Sequence, residues 1–254
     1  MRLHRFYVSQ KIGEQKELTI DSVELVSQVR RVFRLKAGDS IILFDGSGKD
    51  YVCTIDNYSE QSIMDSDSSI RLRVTDTVPS RFTPNHKLYL CAAVVKKDTF
   101  EWIVEKATEL GVTDIIPIMA ERSEKKSLNE GRLLKIATEA SEQSGRGATP
   151  MMHPIMGPGD AVQFLKGKGM GKEEGKIDMI AFHTEGDKLG KKRMSDILPN
   201  VPLAVFIGPE GGWSPAELEM FHKEGIAVRC LGPQVLRAET AVVASLSLVV
   251  FANL

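Results

Sequence analysis

Arg237 and Glu239 are the residues whose types and spacing most suggest chemistry. They stand in Leu236-Arg237-Ala238-Glu239-Thr240-Ala241, on the approach to an apolar run that reaches Leu254. Charges beside a core are usually paired or functional, because burying an unpaired one is costly. A carboxylate there can accept a proton, and a guanidinium can hold developing negative charge. The same residues can serve structure alone, Glu239 and Thr240 as a helix start and the Arg–Glu pair as a brace. The residues leave both readings open.

A second segment, Gly208-Pro209-Glu210-Gly211-Gly212, follows the apolar run Leu203 to Ile207. Glycines let backbone approach a ligand and take positive φ, and exposed N–H groups there can hold an acceptor. Neither a GxGxxG nor a GxxxxGK[ST] pattern is present. Glu210 would also repel a phosphate, so an adenosine carrying a cationic substituent fits the loop better. Trp213 follows directly and can cover such a ligand or pack under the next helix.

These loops need strands and helices to hold them. From Leu88 the chain alternates apolar strands with helical patterns: Leu88 to Val95, Asp114 to Met119, Met179 to Phe182, Leu203 to Ile207 and Ile226 to Leu231 read as strands. Helices are expected from Asp98, with Glu101 completing a capping box and Gly111 ending it, over Leu133 to Ser144, from Ser214 to Gly225, and over Thr240 to Asn253. Ser214-Pro215-Ala216-Glu217 combines a hydroxyl cap, a proline at the first helical position and an acid three residues on. Such alternation predicts an α/β fold, a mainly parallel sheet with helices on both faces. Loops at the ends of neighbouring strands in such a sheet are where ligands bind.

The first 74 residues read as a small barrel-like domain. Phe6 to Val8, Ser40 to Phe44, Tyr51 to Ile55 and Ile70 to Val74 are expected strands, with a turn at Asp45 to Gly48. Asp21 to Arg34 has the apolar spacing of a helix with one buried face. Asp76 to His86, with Pro79 and Pro84, reads as a linker, so the domains are expected at 1–74 and 75–254. The Lys- and Gly-rich segment Lys166 to Lys176 reads as a surface loop.

Length and composition bound the rest. With 254 residues, 42% apolar and 26% charged, the chain has an ordinary globular composition. A net charge of −1 excludes a global field for nucleic acid, so any RNA site must be a local patch. The first 74 residues carry as many basic as acidic side chains, yet Arg30, Arg31, Arg34 and Lys36 cluster. Cys53, Cys91 and Cys230 lie far apart and fit a reducing cytoplasm. The histidines show no metal-ligand spacing, and no metal is expected. The C-terminal apolar run is too short to span a membrane and reads as a buried helix at a subunit interface.

The two loops together, GPEGG and L-G-x-x-x-L-R-x-E-T-A, resemble the SPOUT superfamily of RNA methyltransferases, and more narrowly its RsmE-type members. Other segments agree: Lys106-Ala107-Thr108-Glu109-Leu110-Gly111-Val112, Ile115-Ile116-Pro117, Glu121-Arg122-Ser123, Glu142-Gln143-Ser144-Gly145-Arg146, and Arg34-Leu35-Lys36-Ala37-Gly38-Asp39. The likeness runs over nearly the whole chain. It departs at Ser27 and Gln28, where the family usually has histidines, and at Leu133, where it has tryptophan.

This resemblance implies methylation of uridine N3 in small-subunit ribosomal RNA, with S-adenosylmethionine as cofactor. It implies a trefoil-knotted SPOUT domain behind a PUA-like barrel, and a homodimer joined through the C-terminal knot region. The cofactor would lie against His183, Thr184, Ile207, Gly208, Pro209, Glu210, Gly211, Gly212, Leu231, Gly232, Val235, Leu236, Arg237, Thr240 and Ala241. Arg237 and Glu239 would be catalytic, with Glu239 taking the imide proton. Arg5, Arg30, Arg31, Arg34, Lys36, Arg122 and Arg146 would contact ribosomal RNA or the small ribosomal subunit. Two other readings stay open: a superfamily enzyme acting on a ribose 2′-oxygen or another base, and an RNA-binding protein without catalysis.

Overall fold

A computed structural model describes residues 3–60, 68–84, 86–124, 127–170, 175–188 and 202–251 (backbone alone at 60, 68 and 186–188). The chain divides into two units. The first holds Met1–Thr83 and Ser141–Thr149, the second Pro84–Ala140 and Pro150–Leu254.

In the first unit, strands β1 (Arg5–Tyr7), β2 (Glu17–Ile20), β3 (Ser40–Phe44), β4 (Lys49–Glu60) and β5 (Ser68–Pro79) form one sheet in the order β1-β3-β4-β5-β2. Only β1 with β3 is parallel; the other pairs are antiparallel. Alternate residues such as Ile41 and Leu43, Cys53 and Ile55, Ile70 and Leu72 face the core. The expected helix from Asp21 to Arg34 is shorter. Helix α1 (Val23–Ser27), capped by Ser22, widens into a π-helical turn over Gln28–Val32. That wider spacing carries Val32 off the buried face, where it is 68% exposed. Arg34 ends the turn with φ +56°, a conformation rare outside glycine.

The expected boundary at Val74 falls inside β5, and the strand takes up the first residues of the expected linker. Asn85 lies outside the described residues.

In the second unit, β6 (Leu88–Ala93), β7 (Asp114–Ile118), β8 (Met151–Met152), β9 (Asp178–Lys188), β10 (Leu203–Ile207) and β11 (Ala227–Cys230) form a six-stranded sheet in the order β11-β9-β10-β6-β7-β8. Every described pairing is parallel. Strand alternation sorts side chains to two faces. Leu88, Leu90, Ala92, Leu203, Val205 and Ile207 join helices α2 (Lys97–Glu109), α3 (Glu130–Ser144) and α6 (Ala238–Phe251). Tyr89, Cys91, Ala93, Ala204 and Phe206 join α4 (Pro158–Gly169) and α5 (Pro215–Lys223). Strands buried on both faces must read as unbroken apolar runs, and these do.

Three local expectations need correction. Helix α2 is capped at Lys96 without a side-chain bond, and Asp98 lies inside its first turn, where its charge suits the positive end of the helix dipole. Lys166 to Gly169 form the last turn of α4, not a loop; residues 171–174 lie outside the described residues. Helix α6 begins at Ala238, ahead of Thr240, and its expected last residues fall beyond Phe251, also outside them.

Candidate functional site

Three adjacent strands of the second unit deliver the site. The pairing of β9 with β11 breaks between Val228 and Arg229: Ala181 pairs Val228, while Asp187 pairs Arg229. The intervening Phe182 to Gly186 have no partner in β11, although Phe182 still pairs Ile207 of β10, and Phe182 to Glu185 line a cavity at the ends of β10 and β11. With the loops after β10 and β11 they enclose a cavity of about 450 Å³.

The β10–α5 loop is held at every step. Gly208 lets the Trp213 ring pack close: a Cβ there would meet the ring at 3.2 Å, tight enough that the ring would have to shift. Trp213 is buried, donates its Nε1 to the Phe182 carbonyl at 3.1 Å, and packs edge-on against Phe221. Packing thus accounts for Trp213, although it also lines the cavity. Gly212 closes a turn by donating its N–H to Pro209 O at 2.8 Å. It has φ +67°, and a Cβ would lie 3.0 Å from His183 Cε1. Gly211 O accepts 2.7 Å from Arg122 Nη1. Behind the loop, Ser214 and Glu217 form the expected capping box. The second oxygen of buried Glu217 accepts from the Glu121 N–H at 2.9 Å, so the Glu121-Arg122-Ser123 segment is fastened to this loop twice.

The β11–α6 loop contributes mostly apolar surface: Leu231, Val235, Leu236, Ala238 and Ala241, with Gln234 and Gly232 between. Val235 is 79% exposed.

The cavity gathers His183, Thr184, Ile207, Gly208, Pro209, Glu210, Gly211, Gly212, Leu231, Gly232, Val235, Leu236 and Ala241. Arg237 and Thr240, expected among them, are exposed and off the lining, and half-buried Glu239 is off it too. The helix period explains this: Ala238 and Ala241 are three apart and share a face, while Glu239 and Thr240 project elsewhere. Arg237 sits at the start of α6, its carbonyl accepting from Ala241 N at 2.8 Å. Sequence reading missed Phe182, Pro215, Leu218, Cys230, Gln234 and Ala238 on the lining. Most flank positions it named, and the strand-end position of Phe182 and Cys230 was the available signal.

His183 is part-buried on the lining. Burial pushes its pKa below the ordinary 6.5, and the Arg122 charge adds to this against the opposing pull of Glu185. The ring is therefore neutral near pH 7, and neutral imidazole can accept a proton.

The arginines expected on RNA separate into groups. Arg5 and Arg146 belong to the buried interior of the first unit. Arg5 grips Asp50 through Nε at 3.1 Å and Nη2 at 2.6 Å, and Nη2 also donates to Arg146 O at 2.9 Å. Ser80 Oγ donates to Asp50 Oδ1 at 2.6 Å. Arg146 is 1% exposed, and burial pushes its guanidinium down to about 10. Gly147 is needed beside it, since a Cβ would fall 2.7 Å from Gly48 Cα. The E-Q-S-G-R segment thus completes the core of the first unit, and neither Arg5 nor Arg146 is a surface cation. Arg30, Arg31, Arg34 and Lys36 are exposed, with Arg30 over the Tyr58 ring at 5.4 Å. Arg122 lies at the cavity instead.

Comparison with known proteins agrees with this architecture. An RNA methyltransferase domain family matches residues 83–250, and an RNA methyltransferase PUA domain family matches residues 29–59. The ribosomal RNA small subunit methyltransferase E of Rickettsia conorii is 28% identical, covering 97% of this chain and 95% of its own length. Its counterpart by name from Bacillus subtilis is 29% identical over 96% and 95%. A methyltransferase structure from Legionella pneumophila, in complex with the bound cofactor SAM, matches with a TM-score of 0.80 at 26% identity, covering 100% of this chain and 98% of that one.

Proposed function

The chain belongs to the RNA methyltransferase family, and from that premise we propose that it methylates small-subunit ribosomal RNA at N3 of a uridine, using S-adenosylmethionine. The observation that carries this is the cavity at the ends of β9, β10 and β11, walled by the GPEGG loop on one side and the Leu231 to Leu236 loop on the other.

The residues fit the cofactor. A volume of about 450 Å³ lies within the roughly 300–1,000 Å³ of small-molecule sites. Ile207, Leu231, Leu236, Ala238 and Ala241 offer an apolar wall for the purine. Gly208 and Gly211, packed on the Trp213 ring and the Arg122 side chain, would offer backbone polar groups to the rest of the cofactor. The bound cofactor supplies a methyl group on a sulfonium, already activated for transfer.

The protein's task is then the nucleophile, because uridine N3 carries a proton. His183, neutral near pH 7, is one lining residue that can take it; Glu185 and Glu210 are the lining carboxylates. Glu239, in the first turn of α6 and next in sequence to the lining residue Ala238, is the other candidate base. The exposed Arg30, Arg31, Arg34 and Lys36 hold the RNA backbone by charge, without reading sequence.

The second copy of a homodimer belongs to the same reading. Past its first turn helix α6 carries apolar residues on both its buried and its exposed sides: Val242, Leu246 and Val249 face the core, while Leu248 and Phe251 are 40% and 57% exposed. Sedimentation should give twice the 28.1 kDa chain mass. The reading further includes the family's trefoil knot around this region and action in the cytoplasm. No helix among the described residues is long and apolar enough to cross a membrane.

The decisive experiment is calorimetry with S-adenosylmethionine, followed by mass mapping of small-subunit RNA from cells lacking the protein. Saturable binding and one unmethylated uridine are expected. Absent cofactor binding refutes the enzymatic reading, and loss of a ribose methyl group instead would move the target atom.

A further inference from the structure

We propose that Arg122 forms the carboxylate subsite of the cofactor cavity, anchoring the amino-acid end of S-adenosylmethionine. This rests on the cofactor reading above. Among the described residues that line the cavity, Arg122 is the one Lys or Arg. Arg237, the cation expected there from the sequence, is off the lining. A cofactor with a carboxylate needs a cation or a set of N–H donors at that end, since an unpaired carboxylate leaving water is heavily penalised.

Arg122 is built for this task. Its side chain lies along Gly211, whose Cβ, if present, would meet Arg122 Cβ at 3.3 Å and Cδ at 3.4 Å. One Nη donates to Gly211 O at 2.7 Å. That bond restrains the exposed guanidinium and uses one of its five N–H donors. Among the described residues no carboxylate pairs with it. The neighbouring backbone is fixed too: Glu121 N–H is held by Glu217, and Ser123 Oγ accepts from Ala120 N at 3.2 Å. A guanidinium held this way has lost part of the freedom that binding would otherwise remove, and its planar fork matches a carboxylate. Glu185 and Glu210, also on the lining, supply negative charge for the ammonium group of the same ligand.

The test compares S-adenosylmethionine with its decarboxylated form, two ligands that differ by the carboxylate alone. Titration calorimetry on the full-length protein should give the wild type a preference of roughly tenfold for the carboxylated ligand, the size of one exposed charge-assisted hydrogen bond. In Arg122→Met the preference should vanish while affinity for the decarboxylated form persists, which also shows the pocket intact. Arg122→Lys should keep part of it, and added salt should weaken it in the wild type. A preference that survives Arg122→Met overturns the assignment. Equal loss of both ligands also overturns it, leaving Arg122 as a fastener of the Gly211 loop. A wild type that binds neither ligand refutes the cofactor reading itself, and this inference with it.

Discussion

The loop after β10 and the loop after β11 wall the same cavity, yet they are built in opposite ways. The first is fixed by hydrogen bonds and close packing: Gly212 to Pro209, Trp213 to Phe182, and the Ser214–Glu217 box with its extra tie to Glu121. The second offers Leu231, Val235, Leu236, Ala238 and Ala241 to the cavity through apolar contact. The contrast suggests a division of labour. A rigid polar wall sets orientation, because hydrogen bonds are directional. An apolar wall sets affinity and tolerates small shifts, because burial is not directional.

If that contrast holds, damage to the rigid wall should be the more severe. Gly212→Val puts a β-branched residue at φ +67° and drives its Cβ against His183. Backbone strain alone costs about 1–3 kcal/mol, and cofactor binding should fall below detection in calorimetry. Unchanged affinity would remove this loop from the site.

Next in size is Glu217→Ala. It strips partners from the Ser214 and Glu121 N–H groups. A lost cap and buried bonds should cost about 1–3 kcal/mol of stability, read as a lower melting temperature with weaker cofactor binding. Weaker binding at unchanged melting temperature would contradict the bracing role.

Leu236→Ala tests the other wall. Losing part of one apolar contact should weaken cofactor binding about tenfold or less, with little change in melting temperature. A loss as complete as that of Gly212→Val would erase the contrast.

The smallest effects belong to groups off the lining and to pH. Arg237→Gln and Glu239→Gln should change cofactor affinity by no more than about threefold; a larger loss would place them in the pocket after all. Glu239→Gln should slow methyl transfer only if that carboxylate takes the target proton. For His183, the folded pKa lies below the ordinary 6.5. The fold then opposes its protonation, so its contribution is complete above about pH 6.5 and declines as pH falls through the folded pKa. His183→Asn should flatten stability and activity across that acidic limb; an unchanged limb would assign it to another group.

Much of the architecture was legible because it rests on local rules. The β10 strand, the Ser214 capping box and the helix ends at Gly111 and Gly225, both at positive φ, follow from periodicity and backbone chemistry. What was missed is non-local. Strand β2 is a four-residue element stabilised by pairing with β5, and α4 begins at Pro158 after a Gly157 that supplies no side-chain cap. The α1 expectation failed because a π-helical turn changes the spacing that periodicity assumes.

The amino-acid sequence by itself determined the alternation of strands and helices, the glycine loops and the absence of a phosphate fingerprint, since these depend on neighbours along the chain. Tertiary structure alone decided which charges matter where. Arg122 reaches a glycine 89 residues away, while Arg146 is sealed inside the first unit. Arg237 and Glu239, beside the cavity in sequence, are not among the residues that line it. A charged side chain reads the same in sequence whether it is buried, exposed or aimed at a ligand; only the surfaces that pack around it distinguish the three.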